Sequence, residues 1–324
     1  MNTITVIIPT YQRPHDLTRC LEALKRQTRL ADEVLVVVRD SDINTWTLLK
    51  DFKLDSLALH TVTVRVPGVV AAMNTGLDVA QGEIIAFTDD DAAPHPDWLA
   101  RIETHFLSDE RIGGVGGRDW VYLGTELLDG SSEVVGQLEW FGRVIGNHHI
   151  GVGKARKVDV LKGVNMSYRR DAIIGRHFDE RMRGAGAQVH FEMSFCLALR
   201  RAGWKLIYDP MVAVDHYPGQ RFDEDKRDQL NSLALINSVH NETLVLLEHL
   251  SGVQRIVFLM WALLVGTRDA LGFLQWLRFL PSEGALAGPK WLASFQGRWQ
   301  GWRSWRQWVS QARRSDRHLD RVLM

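Results

Sequence analysis

The sequence predicts an α/β fold: a mostly parallel central sheet flanked by helices, followed by a C-terminal helical extension. Three observations predict it. Short apolar runs alternate with segments of helical periodicity through the first ninety residues. Those runs are apolar at nearly every position rather than every second one, as strands covered on both faces require. Beyond about residue 235 the pattern becomes helical throughout. The 324 residues suffice for one substantial core with an extension, and no internal repeat points to a solenoid.

Ile4 to Ile8 is a β-branched run ended by Pro9, after which Leu17, Cys20, Leu21 and Leu24 recur at helical spacing. Glu33 to Val38 reads as the second strand and Val62 to Val66 as the third. Val69 to Ala80 reads as a helix with an asparagine inside it, and Glu83 to Thr88 as a strand that runs straight into three aspartates. Ligands of such sheets bind outside the carboxyl ends of the strands, so Thr10 to Arg13, Arg39 to Asp42 and Asp89 to Asp91 are expected to border one crevice. Residues 112–186 are Gly-rich and less regular, and are expected to carry loops that shape one side of a binding site. Within them Gly163 to Arg170 looks like a strand leaving a turn. Beyond Gly184-Ala185-Gly186 a helix begins near Glu192 and runs to Arg201, closed by Ala202-Gly203, so Glu192 is placed at a helix N-terminus.

In the C-terminal part, Leu244 to Leu250, Ile256 to Val265 and Ala270 to Leu280 suggest apolar helices broken by Gly252, Gly266 and Pro281. Trp291, Phe295, Trp299, Trp302, Trp305 and Trp308 then follow at steps of four and three, covering about half a helix circumference with Arg298, Arg303 and Arg306 on or beside its edges. The chain balances 39 basic against 39 acidic residues, yet residues 251–324 hold 11 Lys and Arg against 4 Asp and Glu, together with seven of the twelve tryptophans. Cations mixed with interfacial aromatics suit a bilayer surface. The expectation is therefore peripheral attachment to the inner face of the cell membrane. Nucleic acid is the other partner such charge serves, and packing against the N-terminal domain or a second subunit is the plainer use of the stripe.

The run Ile256 to Thr267 carries no charge but would rise only about 18 Å as a helix against roughly 30 Å of hydrocarbon, so a spanning helix is not expected. The N-terminus has no basic segment ahead of its apolar run, so no signal peptide is expected. Cys20 and Cys196, each among apolar neighbours, read as reduced core residues in a cytoplasmic protein. Oligomeric state is not legible.

Asp89-Asp90-Asp91 can act in two ways. Carboxylates delivered to a loop by an apolar strand can hold a divalent cation; equally, they can form a solvated turn that caps the next helix. The surrounding motifs favour the first. Pro9-Thr10-Tyr11-Gln12-Arg13, Val36-Val-Val-Arg-Asp40-Ser-Asp42, Asn74 in Ala-Ala-Met-Asn-Thr-Gly, Ala80 to Asp91, and Pro94-His-Pro-Asp-Trp98 follow in order, and then Gly163-Val-Asn165-Met-Ser-Tyr-Arg169-Arg170 and Phe191-Glu192 ahead of Arg-Arg-Ala-Gly203. Together these resemble glycosyltransferase family 2, whose catalytic domain has the GT-A (nucleotide-diphospho-sugar transferase) fold. The resemblance covers about residues 3 to 222.

That resemblance implies an enzyme moving a sugar from a UDP- or GDP-sugar to a hydroxyl of a carbohydrate or lipid-linked acceptor, with no nucleic-acid partner. It implies that Thr10, Arg13 and Asp40 line the nucleobase pocket, with Pro9, Asn74 and Asp90 counted on the donor side. Asp89 would approach the ribose, and Asp91 would ligate Mg²⁺ or Mn²⁺. The acids after the second strand depart from the family's usual pair, so Asp40 or Asp42 can serve the base. His216 matches a histidine that some GT-A enzymes use as a further metal ligand, and Arg221 would help neutralise the diphosphate. The family's general base, typically the Asp of a Glu-Asp pair, aligns with Glu192, the preceding acid being replaced by Phe191; in-line attack would invert the anomeric carbon.

Desolvation beside Phe191 would raise the pKa of Glu192 and the helix N-terminus would lower it. A Glu at that place also simply suits the macrodipole. Two other functions remain open: a non-catalytic nucleotide- or sugar-binding protein, for which Phe191 speaks, and a nucleotidyltransferase, against which the missing Gly-rich basic phosphate loop speaks. Residues 1–235 are read as the catalytic domain, donor side 1–111 and acceptor side 112–235, with 236–324 as the extension.

Overall fold

A computed structural model of the chain describes residues 1–222 and 230–322, with side chains through residue 311. Its first half runs β1 (Ile4–Thr10), α1 (Pro14–Lys25), β2 (Glu33–Arg39), α2 (Ile43–Asp51), β3 (Leu59–Val64), α3 (Val69–Val79), β4 (Ile84–Thr88), β5 (Ala92–Pro94), α4 (Trp98–Ser108) and β6 (Ile112–Leu123). Three two-residue strands follow, β7 (Glu126–Leu127), β8 (Gln137–Leu138) and β9 (Val144–Ile145), then β10 (Arg156–Val158), β11 (Asn165–Arg169) and the short α5 (Arg170–Ile173). The remainder is α6 (Phe191–Arg201), β12 (Lys205–His216), α7 (Ser232–His249), α8 (Gly252–Leu264), α9 (Phe273–Glu283) and α10 (Ala287–Val322).

The strands lie in the order β10-β12-β6-β11-β4-β1-β2-β3. β1 to β4 pair in parallel, β11 runs antiparallel between β4 and β6, and β12 lies parallel to β6. The apolar runs form strands because both faces are covered: every residue of β1 is buried. On one face α1 presses Leu17, Cys20, Leu21 and Leu24 onto Ile4, Val6 and Ile8, and α4 adds Trp98, Ile102 and Phe106. On the other, α3 and α6 bring Val70, Met73, Phe195 and Leu199 against Ile7, Val37 and Phe87. Each such fully buried Leu or Phe contributes about 1.5–3 kcal/mol.

Several local expectations change. The third strand spans Leu59–Val64, in register with β2 from Val34 to Arg39, and between the two lies α2, which Asp42 starts by accepting a hydrogen bond from the Thr45 amide. The Gly-rich start of the middle region is not loop but the long strand β6. Its glycines allow close approach: a Cβ on Gly117 would lie 1.8 Å from the Val212 carbonyl oxygen, and one on Gly114 2.7 Å from Leu206. Pro281 sits inside α9, which continues to Glu283.

The tryptophan segment does form a helix, but its contact with the body is a stripe of small residues. Ala293, Gly297 and Gly301 are buried against α7, with a Cβ on Gly297 placed 2.7 Å from Val239. Trp302 and Trp305 pack partly on the core, whereas Phe295, Trp299 and Trp308 are about half exposed. Arg298 is not at a polar edge: it is buried, ion-paired with Glu242 at 2.6 Å and donating to Thr243 Oγ1. Among the described residues no helix is long and apolar enough to cross a membrane.

Candidate active site

The aspartates leave the C-terminal end of β4 and continue into β5, which pairs antiparallel with the end of β12 so that His216 stands opposite Ala92. That register carries His216 to Asp91. The other side of the β12 end lies beside β6, with Val214 in register with Asp119. Donor atoms of Asp89, Asp91 and His216 all lie within 4.8 Å of one another.

His216 Nε2 stands 3.4 Å from Asp91 and its Nδ1 3.5 Å from Asp119. Both are too long for good hydrogen bonds, and Asp91 Oδ1 and both ring nitrogens are buried without a hydrogen-bond partner. Orphaned buried polar atoms are costly, and here they converge. Two carboxylates and an imidazole are a donor set that suits Mg²⁺ or Mn²⁺, so the residues fit a divalent cation.

The second oxygen of Asp91 is held by Arg13 Nη1 at 2.8 Å and by the Gly219 amide at 2.9 Å. Burial opposes its ionisation, but His216 and Arg13 outweigh burial and hold Asp91 well below the usual carboxylate range. Burial likewise opposes charge on His216, yet Asp119 and Asp91 push it up to about 9. Arg13 also pairs with Asp90 through Nη2 at 2.8 Å. Asp90 is fully buried, and that burial pushes it up to about 8.

Asp89, Asp91 and His216 border a cavity of about 570 Å³, and so does Glu192. The carboxyl ends of β1 and β2 contribute Pro9, Thr10, Tyr11 and Arg39; Arg13, Lys162, Gly186 and Arg221 complete the parts used below. Tyr11 meets Phe222 edge to face at 6.3 Å, and Arg39 lies over the Tyr11 ring. Lys162 Nζ is 2.5 Å from Asp119.

Glu192 occupies the first turn of α6, whose entry residue His190 has a left-handed φ of 74°. Its Oε2 is buried and has no hydrogen-bond partner. Burial pushes its carboxyl up, against the opposing pull of His190 and Lys162. The competition between desolvation and the helix N-terminus thus falls to desolvation. Phe191, in the place of the missing acid, turns inward and packs edge to face on Phe178 at 5.4 Å.

The wall ahead of α6 is tied down from two sides. The Gly186 carbonyl accepts from the Val69 amide and Gln188 Oε1 from the Val70 amide. Asn241 of α7 accepts from the Arg183 amide and donates to the Arg183 and Val189 carbonyls.

Three expected donor-side residues stand elsewhere. Asn74 is buried with its amide saturated by the Phe178 backbone, at 2.8 and 3.0 Å, because it faces the core side of α3. Asp40 is exposed and outside the cavity lining: β2 ends at Arg39, which turns into the cavity instead. Asp42 does not replace it, since it is buried, capping α2 and accepting from the Gln12 amide at 2.6 Å. Asp90 lies beneath the cavity on Arg13 rather than at its surface. Sequence reasoning missed Asp119 and Lys162, and placed Arg39 at the crevice without giving it a role. Asp119, an acid inside an otherwise Gly- and apolar-rich run, was the one with a local signal.

Comparison with known proteins bears on the family and the fold. Residues 5–176 match the family model of glycosyl transferase family 2. The glycosyltransferase AglE of Haloferax volcanii is 36% identical over 102 residues, 30% of this chain and 33% of that protein. A glucosyl-dolichyl phosphate glucuronosyltransferase of the same organism is 24% identical over 230 residues, 66% of this chain and 68% of that protein. The first match thus spans about a third of its relative's length.

Among solved structures, the mannosyltransferase PcManGT of Pyrobaculum calidifontis with GDP-Man and Mn²⁺ superposes with a TM-score of 0.55 at 17% identity, over 95% of this chain and 83% of that one. TarS of S. aureus with UDP-GlcNAc gives 0.59 at 16% identity, over 90% and 79%. These likenesses show the expected GT-A fold. With the family model matched over more than half its length, the chain belongs to glycosyl transferase family 2.

Proposed function

We propose that this chain transfers a sugar from a nucleotide diphosphate sugar to an acceptor hydroxyl, with inversion, using a divalent cation at Asp89, Asp91 and His216 and Glu192 as general base. The carrying observation is that a cation-type donor set and an unpartnered, enclosed carboxylate border the same cavity. Transfer needs two such separated groups, one where diphosphate charge builds and one where a proton is lost.

A bound Mg²⁺ or Mn²⁺ supplies charge neutralisation at the departing diphosphate. Pro9, Thr10, Tyr11 and Arg39 at the strand ends hold the nucleoside, Tyr11 offering a ring face for the base. Asp89 accepts from the ribose, while Arg13 and Gly219 fix Asp91. Asp119 sets a negative charge beside Nδ1 of His216, and Arg221 faces the diphosphate. Glu192 accepts the acceptor's proton at Oε2, where no protein donor competes for it. Its raised pKa makes it a stronger base than an exposed carboxylate. Residues 1–111 supply the nucleoside side of the donor site, and residues 112–235 supply the acceptor wall together with His216 and Arg221 at the diphosphate.

Structures similar in fold hold GDP-Man with Mn²⁺ and UDP-GlcNAc, which supports a nucleotide-sugar donor and a divalent ion. A relative named for glucosyl-dolichyl phosphate supports a glycan or lipid-linked glycan acceptor. Thermal-shift titration of nucleoside diphosphates and UDP- or GDP-sugars, with and without Mn²⁺ or Mg²⁺, tests the reading. A cation-dependent rise in melting temperature with one base, and nucleoside diphosphate release abolished by chelator, are expected. Stabilisation by sugar or nucleotide with no turnover under any cation would instead favour the binding-protein alternative.

A further inference from the structure

The C-terminal helices turn apolar side chains to solvent where a surface helix ordinarily presents polar ones. α8 buries Phe258 and Ala262 against the body, and its opposite stripe, Val253, Ile256, Met260 and Leu264, is 51–65% exposed. The surface continues onto α9, where Phe273, Leu274 and Leu277 are 43–55% exposed, and onto α10 through Phe295 and Trp299. The three helices form one patch: Trp276 of α9 stacks on Trp291 of α10 at 4.9 Å, and Leu263 and Phe295 border a common recess of about 120 Å³. An apolar surface of this extent marks a docking site.

Charge says what docks. The solvent-facing positions around the patch carry Arg268, Arg278, Arg303 and Arg306, against the exposed Asp269 and against Glu283, which is occupied by Lys290 at 2.7 Å. Over residues 251–324 the sequence holds 11 Lys and Arg against 4 Asp and Glu. Tryptophan and arginine suit a protein interface as well, but an excess of exposed arginines with so few acids among them is what the headgroup region of an anionic leaflet complements. Among the described residues none of the three helices is long and apolar enough to cross a bilayer.

We infer that α8, α9 and the exposed side of α10 lie in the plane of an anionic membrane surface, with Ile256, Met260, Leu277 and Trp299 inserted and the arginines at headgroup level. The small-residue stripe of α10 faces away from the lipid and holds the layer to α7, which also carries Asn241 and so the cavity wall. This docking is independent of the transfer chemistry.

The test uses the full chain and cosedimentation with vesicles of phosphatidylcholine alone or mixed with phosphatidylglycerol. The expected result is salt-sensitive binding to the mixed vesicles, with a blue shift of tryptophan emission. Ile256→Glu/Met260→Glu should weaken that binding about tenfold or more. Both residues are exposed, so the melting temperature and transfer to a soluble acceptor should be unchanged. Failure to bind either vesicle overturns the inference, as does a dimer in light scattering that this double variant dissociates, which would assign the face to a second copy. Loss of transfer with vesicle binding intact would strike the proposed chemistry and leave the docking standing.

Discussion

Glu192→Gln separates the base from the scaffold, because the amide keeps the side chain's size and removes only its charge. Glu192 Oε2 has no hydrogen-bond partner to lose, so the donor site should survive intact. A positioned general base contributes about 10²–10⁴-fold, so kcat should fall by that factor, equivalent to about 3–5 kcal/mol of transition-state stabilisation. KM for the donor should stay within about twofold. In the parent, rate should rise with pH through the elevated Glu192 pKa, and the variant's residual rate should lack that limb.

Stability carries an independent signature. Folding raises the carboxyl's pKa through burial, so below the unfolded value the group costs nothing. Above the folded value its ionised form carries the full desolvation penalty. The variant should therefore melt with the parent in acid and above it at neutral and alkaline pH. Nucleoside diphosphate release gives the rates, and melting curves across pH give the stability. Near-normal kcat would remove Glu192 as the base. A lower melting temperature at neutral pH together with lost donor binding would make its role structural.

Three further outcomes follow from the geometry. Asp119→Asn weakens the charge that orients His216 Nδ1 and should lower Mn²⁺ affinity about 10- to 100-fold by titration calorimetry, with unchanged affinity detaching Asp119 from the site. Glu242→Gln leaves Arg298 buried without its carboxylate and should cost about 3–5 kcal/mol in denaturant unfolding, whereas Glu242→Gln/Arg298→Met should recover most of it; no loss in the single variant would show the pair to be dispensable. Burial lowers the His148 pKa from 6.5 to about 4, so the unfolded chain takes up the proton first. Stability should then drop between those two values by on the order of 3 kcal/mol. Urea midpoints across that window should show the slope in the parent and a flatter one in His148→Gln.

The donor half of the fold was legible because its signals are local. Ile4 to Ile8, Glu33 to Val38 and Glu83 to Thr88 are apolar at almost every position, and only a doubly covered strand tolerates that. Asp89 and Asp91 were legible for the same reason, standing where such a strand ends. Less of β6 was visible, since its glycines answer to Val212 and Leu206, residues distant in sequence. Asn74 and Asp40 kept their places in the motifs, yet the facing of a helix and the end of a strand turned one into the core and the other into solvent.

By itself the sequence determined the order of β1 to β4 with α1 and α3 between them, the acids at the strand end, the carboxylate at the start of α6 and the basic, tryptophan-rich tail. Tertiary structure decided which of these meet. The β5 and β12 register brings His216 to Asp91. Packing of Phe191 on Phe178 accompanies the enclosure of Glu192. A stripe of Ala and Gly, with Trp302 and Trp305 beside it and the other tryptophans turned outward or to the edges, binds α10 to the body. Periodicity reports which face of an element is apolar, whereas close approach between distant segments depends on shapes that no single segment encodes.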